Sequence, residues 1–115
     1  MPFCPRTRRV LILLCLPLAL IAPPLAHADA TLAKSRNCVA CHKQEAQNIG
    51  PGYRDIAQRY AGQADAVDKL AKSIRSGSKG QWPPAKGPAL PMPPNTTVKP
   101  EEAERLARWI LNGAR

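Results

Sequence analysis

Cys38-Val39-Ala40-Cys41-His42 is the stretch of the sequence with the most chemistry in the fewest residues. Two thiols three positions apart, followed at once by an imidazole, have the spacing used to attach a haem covalently. The physical basis is simple. Each thiol can add its S–H across one of the two vinyl groups of a single porphyrin, making a thioether. His42 then lies under the iron, where its imidazole can ligate it. Three other readings compete. A redox-active dithiol would need a thioredoxin-like βαβ context, and no strand pattern is visible. A structural zinc site wants four ligands, and Cys38, Cys41 and His42 supply three. The third is chance, which a five-residue motif built on three rare residues disfavours.

Met92 is the natural partner for His42. Once the leader described below is removed, His42 is the only histidine and Met92 the only methionine. A thioether opposite an imidazole favours reduced iron and raises its potential, the setting for electron transfer. Met92 sits in Leu90-Pro91-Met92-Pro93-Pro94, where the flanking prolines can stiffen the backbone that presents its sulfur. The competing readings are ordinary core filling by a lone methionine, and Lys79 or Lys86 as the ligand instead.

The amino-terminal residues belong to a different function. Arg6, Arg8 and Arg9 precede an apolar run from Val10 to Ile21, and Ala26-His27-Ala28 fits a small-residue cleavage site. That order is a secretory signal peptide with cleavage after Ala28. The apolar run is short for a membrane span, so an uncleaved anchor is the weaker reading and stable membrane insertion is not expected. Thr7-Arg8-Arg9 has a twin-arginine look. Haem attachment after export requires an unfolded chain, however, which favours the ordinary route. Residues 1–28 are therefore read as leader and 29–115 as one domain in the periplasm.

Cleavage leaves a domain of 87 residues, a size at which an apolar core alone supplies little surplus stability. Its aromatic residues are only Tyr53, Tyr60, Trp82 and Trp109. Cys4 and Cys15 leave with the leader, and a bridge between Cys38 and Cys41 would close too small a loop to help much. A bound flat apolar group would fill the gap. The domain keeps 14 Lys and Arg against 8 Asp and Glu, a net charge of +6. Such a surface suits acidic partners. The charges are scattered and no binding motif accompanies them, so nucleic acid is not expected.

Four helical stretches can position these groups, and the fold class is all-α. Asp29 to Arg36 is the first, with Asp29 as N-cap. Tyr53 to Tyr60 follows the turn Gly50-Pro51-Gly52. Asp65 can cap the third, where Val67, Leu70, Ala71 and Ile74 recur at helical spacing and Gly77 ends the run. Pro100 to Leu111 is the fourth, with proline and two glutamates in its first turn and Ala103, Leu106, Ala107 and Ile110 as its apolar stripe. Between the last two, residues 81–99 hold six prolines, too many for a helix. A stiff extended loop folded over something is expected.

In these features the chain resembles the small bacterial class I cytochromes c of the c-551 and c-552 kind. Asn37-Cys38-Val39-Ala40-Cys41-His42 matches the attachment site. Gly50-Pro51-Gly52-Tyr53-Arg54-Asp55-Ile56-Ala57 with Tyr60-Ala61-Gly62-Gln63 resembles the segment after it. Ile74-Arg75-Ser76-Gly77-Ser78-Lys79-Gly80-Gln81-Trp82 and Pro91-Met92-Pro93-Pro94-Asn95 resemble the ligand loop. Glu102-Ala103 through Leu111 resembles the closing helix. The resemblance implies a small cytochrome c fold, four short helices and a proline-rich loop wrapped around one covalent haem c. It also implies further roles. The Pro51 carbonyl would orient the His42 ring, Asn95 would support the Met92 sulfur, and the Trp82 indole N–H would bond a haem propionate. The first and last helices would cross, with Leu32 near Leu106 and Ile110. The chain departs from the pattern in four places. Pro84-Ala85-Lys86-Gly87 lengthens the loop, Ser73 stands where an arginine often lies near a propionate, Thr96-Thr97 adds a residue before the last helix, and Lys99 is a poor N-cap.

The function expected is a monomeric periplasmic carrier of single electrons, not an enzyme. It would take an electron from a quinol-oxidising complex and give it to a terminal oxidase or a nitrite reductase, meeting acidic docking surfaces through its basic face. Two rivals remain: a haem subunit held permanently in a larger enzyme, and an enzyme or gas sensor with five-coordinate iron. The second needs an open iron position and acid–base residues, which the sequence does not offer.

Overall fold

The structure, a computed structural model, describes residues 25–83 and 88–115. The leader up to residue 24, and the loop residues 84–87, Lys86 among them, lie outside the described residues. Among the described residues five helices follow one another: α1 Leu25–Ser35, α2 Cys38–Cys41, α3 Tyr53–Arg59, α4 Ala66–Ser76 and α5 Pro100–Leu111. No strand occurs among the described residues; a single antiparallel bridge joins Ser78 and Met92.

Helix α5 is the hub, packing against α1, α3 and α4. Its stripe is as the periodicity requires: Ala103, Leu106, Ala107, Trp109 and Ile110 are all buried. Ala33 on α1 and Ala103 and Ala107 on α5 are wholly inaccessible to solvent. Alanine at such positions lets two helices approach closely while still removing apolar surface from water. Leu32 is half-buried against the cluster that contains Leu106 and Ile110. On α4 the buried residues Ala66, Leu70 and Ile74 stand four apart, one face of the helix.

Polar ties fix the ends of the chain to each other. Arg36 holds the Glu102 carboxylate in a two-pronged contact at 2.8 and 3.1 Å. Arg105 donates to Asp29 at 2.7 Å. Asp29 is therefore not an N-cap: α1 begins at Leu25, and the Asp29 carboxylate is drawn to the guanidinium of Arg105 on α5 instead. Asp65 precedes α4 but does not cap it with its side chain; it pairs with Lys69 one turn on, at 3.0 Å. Lys99, which has no acceptor to offer, is compensated from the other side, because Glu102 accepts a hydrogen bond from the Lys99 backbone N–H at 2.9 Å. The helix at Cys38–Cys41 adds a fifth to the four expected. It is a single turn, entered through Asn37 in the left-handed region at φ 60°, and too short to leave a periodic signal.

Candidate functional site

The turn of α2 carries Cys38 and Cys41, both free thiols and both half-buried. A turn of helix is what brings side chains three positions apart onto one face. Burial pushes the Cys38 thiol above its ordinary value. A hydrogen bond from its own backbone amide pulls the other way, and the neighbouring Cys41 adds to the rise.

His42 leaves the helix in extended backbone, with φ −110° and ψ 127°. Its ring is gripped on two sides. Nδ1 lies 2.8 Å from the Pro51 carbonyl oxygen, so that Nδ1–H donates and Nε2 is left with its lone pair for a ligand. The Tyr53 ring stacks at 5.8 Å between centroids, and Tyr53 in turn meets Trp109 of α5 edge-on at 5.1 Å. The loop after His42 is folded back by Gly50 N–H to Cys41 O and Tyr53 N–H to Lys43 O. Gly50 packs so closely on the ring that a Cβ there would come within 2.7 Å of His42 Cε1.

Met92 is held by the bridge to Ser78. Ser78 N–H donates to Met92 O at 3.0 Å, and Met92 N–H to Ser78 O at 2.9 Å. A proline at this position could accept from Ser78 but not donate to it; Met92 does both, between two prolines. Gly77 allows the approach: its φ is 76°, and a Cβ would lie 2.5 Å from the Met92 carbonyl oxygen.

His42, Met92, Cys38, Cys41, Pro51 and Trp82 all line one cleft of about 1160 Å³, its open mouth included. Apolar groups from Ala33, Ile56, Leu70, Ile74, Leu106 and Ile110 complete its walls. Among the described residues, no lysine or arginine lines it. Lys79, weighed as a ligand, is exposed and lines a neighbouring groove rather than this cleft. A flat apolar macrocycle with a central metal fits this donor set: two thiols on one helical turn, an oriented imidazole, a thioether and apolar walls. The Tyr53 hydroxyl and the Trp109 indole N–H are buried and have no hydrogen-bond partner among the described residues. Burial pushes the Tyr53 phenol well above its ordinary range, so it stays neutral.

Asn95 lies just past the ligand loop and outside the cleft lining. Its Nδ2 donates to the Arg36 carbonyl at 3.0 Å, its Oδ1 accepts from Thr97 at 2.7 Å, and its backbone N–H bonds Ile74 O at 3.1 Å. It thus ties the Met92 segment to the end of α1 and to α4. Sequence reasoning missed the Gly50 contact, the Tyr53–Trp109 pair and the stack of Arg59 on Trp82, in which the guanidinium carbon lies 4.4 Å from the ring centroid. The two glycines around Pro51 were the signal available for the first; the other two join residues far apart in sequence.

Known proteins agree with this geometry. The family model described as Cytochrome c matches residues 28–114. Cytochrome c-552 of Nitrosomonas europaea is 46% identical over 93 residues, covering 81% of this chain and 85% of that one. Cytochrome c-552 of Hydrogenobacter thermophilus is 46% identical over 85 residues, covering 74% and 81%. The crystal structure of wild-type Nitrosomonas europaea cytochrome c552 superposes with a TM-score of 0.66, covering 72% of this chain and 96% of that one. Motif, cleft and kinship converge: the chain belongs to the cytochrome c family, as a small class I member with one haem c bound through Cys38 and Cys41 and ligated by His42 and Met92.

Proposed function

We propose that the chain is an exported, monomeric shuttle that moves single electrons in the periplasm from a quinol-oxidising complex to a terminal oxidase or a nitrite reductase. One observation carries the reading. His42, with its ring locked, and Met92, clamped by a two-bond bridge, line the same apolar cleft as the paired thiols. With haem c bound, His42 and Met92 would hold the iron from the chain itself and leave no position for a substrate. When bound, haem c supplies reversible one-electron exchange at its iron. The protein's part is to hold both ligands still. The Pro51 carbonyl fixes the imidazole, the Ser78–Met92 bridge fixes the thioether, and the apolar walls exclude water. Rigid ligands keep the reorganisation that accompanies electron exchange small.

The remaining roles follow the same logic. The Trp82 indole N–H bonds a haem propionate, and Asn95 supports the Met92 sulfur while anchoring its loop. The leader ends after Ala28, next to where the family match begins, and the domain is released to the periplasm. No helix among the described residues is long and apolar enough to cross a membrane. Positive charge steers acidic partners into brief encounters: Lys72 and Lys79 line a groove beside the cleft and form no ion pair among the described residues.

The test is spectroscopic and kinetic. Protein matured in a cell able to attach haem should show, when oxidised, the weak far-red sulfur-to-iron band, and when reduced should resist carbon monoxide. Its reaction with an acidic redox partner should slow steeply as ionic strength rises. Absence of the band together with ready carbon monoxide binding would overturn the carrier reading. Rates indifferent to salt would overturn the steering.

A further inference from the structure

Haem carries two propionate carboxylates, and a carboxylate at the edge of an apolar cleft requires a donor or a countercharge. Among the described residues, the cleft wall contains no lysine or arginine. A cation held in place stands beside it. Arg59, the last residue of α3, lays its guanidinium over the Trp82 ring at 4.4 Å. One of its terminal nitrogens donates to the Gln81 carbonyl at 3.1 Å. These two contacts fix the plane of the fork, and its other N–H groups have no partner among the described residues. Arg59 has no carboxylate partner among the described residues, whereas Arg36, Arg54, Lys69, Arg105 and Arg108 each have one. It also lines the second groove, which shares Tyr60, Ser73, Ser78 and Gln81 with the cleft and so adjoins it.

From this arrangement, and on the reading that haem c occupies the cleft, we infer that Arg59, held by its stack on Trp82, is the positioning residue that pairs with a haem propionate. A guanidinium suits the task. Its planar fork can meet a carboxylate with two parallel hydrogen bonds while its face rests on an aromatic ring. The charged and titratable groups that share the groove are Tyr60 from α3, Lys69 and Lys72 from α4, and Lys79 from the segment after it. Lys69 is engaged by Asp65. Among the described residues, no acidic side chain lines the cleft or the groove. His42, the other titratable group of the cleft besides the thiols and tyrosines, is committed to Pro51 and would hold the iron with haem bound.

An ionised propionate favours ferric iron, and a cation beside it offsets that preference and keeps the acid ionised to lower pH. The experiment measures the midpoint potential of the haem-loaded protein against pH for the native chain, Arg59→Gln, Arg59→Lys and Arg108→Gln. Arg108→Gln removes one charge from the exposed side of α5 and serves as the control for net charge. Haem staining and the reduced spectrum, taken on every sample, report attachment independently. Arg59→Gln should lower the potential at neutral pH, weakening reduction several-fold. It should also move the pH-dependent step in potential upward. Arg59→Lys should recover part of both effects, since it keeps the charge and loses the fork. Arg108→Gln should leave the step in place. Equal profiles for Arg59→Gln and the native protein, or equal shifts for Arg59→Gln and Arg108→Gln, would overturn the inference while leaving the haem reading intact. A native protein without attached haem would overturn the haem reading itself.

Discussion

His42 Nδ1 and the Pro51 carbonyl oxygen are 2.8 Å apart, nine residues along the chain from each other. The contact decides which ring nitrogen is free to bind metal, and Gly50 is what allows the loop to come close enough to make it.

Gly50→Ala is expected to displace the imidazole. The added methyl would meet His42 Cε1 at 2.7 Å, and the backbone there is not in the left-handed region, so the effect is steric alone. A loss of about 1–3 kcal/mol is expected, the usual cost of overpacking. Denaturant unfolding of the haem-loaded variant, followed by its visible spectrum, measures it.

Gly77→Ala should be harsher on the other ligand. At φ 76° and ψ 176° the backbone occupies a region that only glycine enters freely, and a Cβ would lie 2.5 Å from the Met92 carbonyl. Strain of about 1–3 kcal/mol adds to the loss of the Ser78–Met92 bridge. The far-red band should weaken at lower denaturant concentration than the main unfolding transition, which a two-wavelength titration detects.

Met92→Ala removes the thioether. The far-red band should vanish, the reduced protein should bind carbon monoxide, and the potential should fall by at least a factor of ten in the reduction equilibrium, about 59 mV for one electron. Carbon monoxide difference spectra and redox titration check these outcomes.

Glu102→Gln tests the tie between the chain ends. The hydrogen bond from Arg36, reinforced by that from the Lys99 backbone, holds the Glu102 carboxyl below its ordinary value of 4.5. A carboxyl whose folded value is depressed stabilises the fold above its unfolded value, and that contribution disappears as pH falls through the folded value. The variant should therefore melt at a lower temperature than the native protein at pH 7. The gap should narrow as the pH drops below 4.5. Thermal melts at a series of pH values give the answer.

Much of this was legible beforehand because it is local. Cys38, Cys41 and His42 are adjacent, the stripe of α5 repeats within twelve residues, and Pro100 marks its own helix start. Relationships between distant segments were not. Nothing in the neighbourhood of Asp29 reveals that Arg105, 76 residues on, will claim its carboxylate in place of a capping role. Nothing near Lys99 announces that Glu102 reaches back to rescue a weak cap. The Asn95 amide also reaches the Arg36 carbonyl, a partner 59 residues earlier that its own neighbourhood does not announce. Arg59 over Trp82 has the same character: two unremarkable positions that become a pair only when α3 ends beside the ligand loop.

The grip of Arg36 on Glu102 has a kinetic corollary. The two residues are 66 positions apart, so the contact can form only after nearly the entire domain has closed into a ring. Closure of so long a segment is entropically uphill until α5 docks and repays it with buried surface. Chains that end before α5, as on a ribosome or after a premature stop, would leave the alanine face of α1 bare. Such fragments should be prey for proteases rather than partly working electron carriers.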